Sequence, residues 1–204
     1  MTQPLPQLTD RFLAGVALAV EAHGDQRRKG TEIPYVAHLL VVTGLVLEDG
    51  GDEDEAIAAM LHDTVEDAGG APMLEGIREQ FGARVAGIVE ACSDTLEPAG
   101  KEPWRLRKVR YLARLREEED DGVLRVSLAD KVHNARSIVR DYRVEGPRLW
   151  QRFATRSAAD QLWYYESLLR FFEERRPGPL TEDLRHAVDE LAALVAREEA
   201  GVGT

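Results

Sequence analysis

The chain has 204 residues, 44% hydrophobic and 31% charged, with 26 basic against 37 acidic side chains for a formal net charge of −11. A chain of this size buries enough apolar surface to fold without disulfide staples, and its single cysteine could build none. So acidic a surface repels nucleic acid, no apolar run reaches the roughly 18 residues that span a membrane, and MTQPLPQLTD lacks a signal-peptide pattern, so a cytoplasmic protein is expected.

Helical periodicity runs almost throughout. Residues 9–23 carry an apolar stripe at Phe12, Val16, Ala19 and Val20 behind Thr9 or Asp10 as N-cap, and a polar loop with Gly30 and Pro34 follows. The pattern predicts a second helix over 36–48, stopped at Gly50–Gly51. A third is expected over 52–67, stopped at Gly69–Gly70, with an acidic first turn suited to the positive end of the helix dipole. Helices over 73–80 and 83–93 flank Gly82, and Cys92 on the second reads as a small buried hydrophobe, with no basic neighbour to lower its pKa.

Two prolines and a glycine mark 93–103 as a loop. Helix is expected again over 104–118, from beyond Gly122 to 142, over 147–174 and over 181–199. Trp104, Trp150, Trp163 and the Tyr164–Tyr165 pair read as core or interface. With no strand-length alternation and no βαβ spacing, the fold class is all-α: a single domain over 1–204 of about nine helices, without internal repeats. The apolar stripes of the C-terminal helices permit a homodimer.

Positive charge concentrates at 26–30, 101–110 and 129–140, and local cations in an acidic protein mark candidate sites for a small anion. The 101–110 stretch reads as a solvated helix surface.

The five histidines are His23, His38, His62, His133 and His186. His62 stands beside Asp63 at the end of an apolar run, and Glu66 and Asp67 follow three and four residues after Asp63. On one continuous helix these groups share a turn near its C-terminal end, where gathered acids repel one another and oppose the dipole. A divalent cation resolves that conflict. A solvated acidic helix end, with His62 as a hydrogen-bonded core residue, fits the spacing equally well. His38 stands where a helix begins, and Asp130 enters from the apolar VSLA run. A charge in that position usually has a partner. His38, His62, Asp63 and Asp130 would supply two imidazoles and two carboxylates, a set suited to manganese, iron or zinc that leans toward manganese.

The order H…HD…D, with HDTVED and LADKVHN, resembles the HD-domain metal-dependent phosphohydrolases. AHGDQRRKGTEIPYVAH, AAMLHDTVED and SLADKVHNAR are similar to the hydrolase domain of Rel/Spo-type enzymes and to stand-alone small alarmone hydrolases. Those enzymes remove the 3′-pyrophosphate from guanosine tetra- and pentaphosphate. The resemblance covers about 10–172 and implies a multi-helix HD-domain bundle. It implies metal ligation by His38, His62, Asp63 and Asp130, with Mn2+ the usual ion, and places Glu66 and Asp67 at the attacking water. Arg28 and Lys29 match a basic pair that packs on the purine and meets phosphate; Asn134 and Ser137 match positions facing the nucleoside, with Arg136 between them. Leu39 stands where proline is common, and Ala68-Gly69-Gly70 where threonine is common, but every ligand and acid is kept. His23 reads as a supporting or structural residue. The alternatives are an HD-superfamily hydrolase of another nucleotide or phosphate ester, and a non-catalytic alarmone-binding module, which would be marked by a lost ligand or a lost Glu66–Asp67 pair.

Overall fold

Thr9 starts the first helix as its residue type predicts: its side chain accepts from the Arg11 backbone N–H, and α1 runs Asp10–His23. The computed structural model describes residues 7–93 and 102–201, so most of the loop expected over 93–103, and Lys101 of the 101–110 stretch, lie outside the described residues. After α1 come α2 (Tyr35–Glu48), α3 (Glu53–Leu61), α4 (Thr64–Ala68), α5 (Gly70–Phe81), α6 (Ala83–Cys92), α7 (Trp104–Glu117) and α8 (Asp121–Glu145). A 3-10 helix (Gly146–Arg152), α9 (Ala158–Arg175) and α10 (Pro179–Gly201) complete the chain. The fold is all-α; among the described residues the only β pairing is an isolated bridge between Arg27 and Pro34. No described helix is long and apolar enough to cross a membrane.

Two expected helices are each divided. The run over 52–67 breaks at His62–Asp63 into α3 and α4, and the run over 147–174 becomes the 3-10 helix and α9. In the second case Ser157 caps α9, accepting from the Asp160 N–H, and Arg156 just before it stands at φ 49°. The helix expected over 73–80 is longer, beginning at Gly70.

The chain divides into two compact units, Met1–Lys101 with Glu119–Ala129, and Glu102–Glu118 with Asp130–Thr204. In the first, α3 packs against α1, α2 and α6. Ala56, Ile57, Ala58, Ala59, Met60 and Leu61 are all fully buried, so α3 is apolar on every side and serves as the central rod of its unit. Its N-terminus carries a capping box, Asp52 accepting from the Glu55 N–H while the Glu55 carboxylate accepts from the Asp52 N–H. Glu55 does more than complement the dipole. Buried at 4% exposure, it also accepts from Arg84 at 3.0 Å and from Arg125. Cys92 is half-buried rather than buried, its Sγ 3.6 Å from the Ser127 hydroxyl.

In the second unit α9 packs against α7 and α10 around Leu168, Phe172, Leu184 and Leu191. Trp150, Tyr164 and Tyr165 are buried there, and the Arg105 guanidinium lies 4.0 Å from the ring centre of Trp163.

Candidate metal centre

The break between α3 and α4 builds this site. His62 keeps helical angles as the C-cap of α3, while Asp63 flattens to φ −97°, ψ −6°, in the bridge region common to turns. The chain then re-enters helix at Thr64, with the Asp67 N–H bonding back to the Asp63 carbonyl at 3.0 Å. Neither glycine nor proline stands at the break; the following Thr64 and Val65 are buried instead.

His62 Nδ1 lies 2.8 Å from the Ala59 carbonyl oxygen. A carbonyl only accepts, so Nδ1 carries the hydrogen and the neutral ring presents its Nε2 lone pair. That Nε2 is 3.0 Å from Asp63 Oδ2. His38, in the first turn of α2, brings its own Nε2 to 3.5 Å from the same oxygen. The two imidazole rings are 5.3 Å apart, and both residues are buried.

Tyr35 opens α2 three residues before His38, and its hydroxyl donates to Asp63 Oδ2 at 2.5 Å. The His23 ring stacks on Tyr35 at 4.9 Å with 18° between planes, and the Arg28 guanidinium lies 5.6 Å from the Tyr35 ring centre. His23 Nδ1 meets Gln26 Oε1 at 2.7 Å, and Gln26 Nε2 donates to Asp67 Oδ2 at 2.8 Å.

This donor set fits a divalent cation. Two buried imidazole nitrogens converge on one carboxylate, and in the neutral state of His62 a lone pair faces a carboxylate oxygen, an arrangement that repels until a positive centre joins it. Nitrogen and oxygen donors of this kind suit manganese, iron or zinc.

Asp130 is the first residue of the second unit, following Ala129 without interruption along α8. It is 7% exposed and accepts from Lys131 Nζ at 2.6 Å and Asn134 Nδ2 at 2.5 Å. Asp130, Asn134 and Ser137 fall on one side of α8 by helical spacing, and Ser137 is buried. Arg136 does not share that side: it is exposed and ion-paired with Asp183 of α10 at 2.8 Å. Lys29, Glu66 and Asp67 are exposed, and Arg28 is half-buried. Tyr35 and Gln26 join the site although no ligand or charge pattern marks them in the sequence. Their signal is spacing, Tyr35 three residues before His38 and Gln26 three after His23.

The HD domain family matches residues 15–159. A guanosine-3′,5′-bis(diphosphate) 3′-pyrophosphohydrolase of Aquifex aeolicus (strain VF5) is 34% identical over 135 residues, covering 65% of this chain and 18% of that protein. The chain thus spans less than a fifth of that relative's length. Mouse (Mus musculus) MESH1, which bears the same enzyme name, is 30% identical over 176 residues, covering 81% of this chain and 94% of that protein. Among solved structures, that of a metazoan ortholog of SpoT that hydrolyzes ppGpp matches with a TM-score of 0.72 at 24% identity, covering 93% of this chain and 98% of that one. At that identity the likeness speaks to the fold.

Proposed function

The chain belongs to the HD-domain family and is homologous to SpoT/Rel hydrolase domains and to MESH1 stand-alone hydrolases, and from that premise we propose that this phosphohydrolase removes the 3′-pyrophosphate of guanosine tetra- and pentaphosphate, giving GDP or GTP. The observation that carries the reading is the convergence of His38 and His62 Nε2 on Asp63 Oδ2, at 3.5 and 3.0 Å. His38, His62 and Asp63 hold the ion, Asp130 is the fourth ligand, and the carboxylate share of the set favours Mn2+. The bound ion supplies Lewis-acid polarisation and lowers the pKa of a coordinated water.

The chain's own residues supply the rest. Glu66 and Asp67 orient the attacking water and take its proton. The water oxygen bonds to the phosphorus attached to O3′, the P–O3′ bond breaks, O3′ regains a proton and pyrophosphate leaves. Arg28, its guanidinium 5.6 Å from the Tyr35 ring centre, offers a guanidinium plane to the purine, and Lys29 offers charge to phosphate. Asn134 and Ser137 serve the nucleoside. Arg136 serves the substrate's phosphates by exchanging its Asp183 partner for them. We read residues 1–204 as one catalytic domain acting in the cytoplasm, with the C-terminal helices available for a homodimer.

Metal-free protein incubated with guanosine 3′,5′-bis(diphosphate), with and without Mn2+, tests the proposal. GDP and pyrophosphate are expected only with the ion. Confirmed Mn2+ binding without turnover would overturn the substrate assignment and transfer it to another phosphate ester. The departures at Leu39 and Ala68-Gly69-Gly70 make deoxynucleoside monophosphates the control substrates. A non-catalytic module is disfavoured because all four ligands and both acids are present.

A further inference from the structure

We infer that His23 and Gln26 form a positioning relay that fixes the carboxylate of Asp67, an inference resting on the proposed role of Asp67 as a proton acceptor. Asp67 is exposed on the short α4, and a carboxylate there has several rotamers open to it. Gln26 Nε2 holds one oxygen at 2.8 Å. An ionised carboxylate accepts only, so the amide nitrogen of Gln26 must face Asp67 and its carbonyl oxygen must face the other way. That oxygen lies 2.7 Å from His23 Nδ1, which assigns the hydrogen to Nδ1. The Nε2 of the neutral ring is then an acceptor, with the fully buried Thr64 hydroxyl 3.4 Å away. Each member has one consistent orientation, from Thr64 through His23 and Gln26 to Asp67.

The backbone is shaped to make this contact. Gly24 ends α1 at φ 40°, a left-handed angle that suits glycine, and the Gln26 N–H bonds back to the His23 carbonyl at 2.6 Å, folding Gln26 over His23. The same His23 ring stacks on Tyr35, whose hydroxyl holds Asp63. One stacked pair therefore fixes both carboxylates: Asp63 directly through Tyr35, and Asp67 through Gln26. Orienting the proton acceptor before substrate arrives removes that cost from the barrier, which acts on kcat rather than on binding.

The test compares the full chain with Gln26→Ala, Gln26→Glu, Asp67→Asn and the Gln26→Ala/Asp67→Asn double variant, each loaded with Mn2+ and given guanosine 3′,5′-bis(diphosphate). Gln26→Ala is expected to lower kcat about tenfold with KM and Mn2+ affinity unchanged. Gln26→Glu, which sets a second carboxylate against Asp67, should lower it further. On the Asp67→Asn background, Gln26→Ala should cost nothing more, whereas a general packing defect would lower kcat in both backgrounds. Wild-type kcat in Gln26→Ala, or a full additional loss in the double variant, overturns the relay. Long-range 1H–15N spectra, with the His23 signals assigned by difference from His23→Asn, decide the tautomer without substrate. Hydrogen on Nδ1 supports the relay and hydrogen on Nε2 overturns it. If the wild type turns over no alarmone, the substrate reading falls and the tautomer alone judges the relay.

Discussion

His62 Nε2 and Oδ2 of its sequence neighbour Asp63 lie 3.0 Å apart. On an uninterrupted helix consecutive side chains diverge by about 100°, so neighbours do not meet. The pair converges because α3 ends at Leu61 and α4 begins at Thr64. Replacing Asp63 by Asn keeps the shape and removes the charge. Calorimetric titration is expected to show Mn2+ affinity falling by about 100-fold or more, with turnover lost. Wild-type affinity in Asp63→Asn would remove this carboxylate from the ligand set.

Tyr35 supports the same oxygen from outside, donating to Asp63 Oδ2 at 2.5 Å while its ring lies against His23. Tyr35→Phe keeps the stacked ring and deletes the hydroxyl. Losing such an outer partner costs roughly 10- to 100-fold in metal affinity, and a hydrogen bond to an ionised carboxylate is worth about 1.5–3 kcal/mol of folding stability. The expected result is weaker Mn2+ binding together with a metal-free Tm lowered by a few degrees. Equal Mn2+ affinity in the two proteins would show that the hydroxyl does not orient Asp63.

Most of this fold was legible because helices announce themselves locally. The stripe of α1, the Thr9 cap and the glycine stops after α2 and α4 are all written within a few residues of where they act. The break at His62–Asp63 was not legible. AAMLHDTVED contains no helix breaker, and what meets the chain at the break is a set of contacts from His23 of α1 and from Tyr35 and His38 of α2. Glu55 misled for the same reason. Three acids in a first turn look like dipole partners, and nothing near Glu55 in sequence foretells Arg84 and Arg125, 29 and 70 residues away. Gln26 heads the cationic QRRK run, and nothing in that run foretells that its amide reaches Asp67, 41 residues away.

That Glu55 cluster has a measurable cost of removal. Arg125 is 12% exposed at its side chain and pairs with Glu55, with Asp49 at 3.3 Å and with Asp121 at 2.7 Å. Burial pulls its pKa down, but the carboxylates, Glu55 foremost, outweigh that and hold it above its ordinary value. Glu55→Ala leaves buried guanidinium charge without its main partner, a change that costs about 3–5 kcal/mol. Urea unfolding should show that loss, and a loss below about 1 kcal/mol would class the cluster with ordinary surface pairs. Two glycines make room for Glu55. A Cβ at Gly122 would stand 2.9 Å from Glu55 Oε1, and one at Gly51 would stand 2.8 Å from the Val46 carbonyl oxygen and 2.9 Å from Glu55 Oε2. Gly51→Ala is therefore expected to destabilise by about 1–3 kcal/mol in the same assay.

Acid should loosen the helix that carries His62 from its N-terminal end. Burial alone would raise the Asp52 carboxyl, but the Glu55 N–H and the Arg84 guanidinium outweigh it and hold the group below its ordinary 3.8. Glu53 is likewise depressed, first by the Thr9 hydroxyl and backbone N–H, and then by Arg11. A carboxyl lower in the folded than in the unfolded state binds fewer protons when folded. Its stabilisation is present above the unfolded value and lost as pH falls from there through the folded value. Tm should therefore hold above about pH 5 and fall progressively below about pH 4. Asp52→Asn keeps a side-chain oxygen able to cap α3 but cannot titrate, so its Tm should depend less steeply on pH below 4 than that of the wild type. Parallel Tm profiles for the two proteins across that range would show that the acid sensitivity arises elsewhere than at the start of α3.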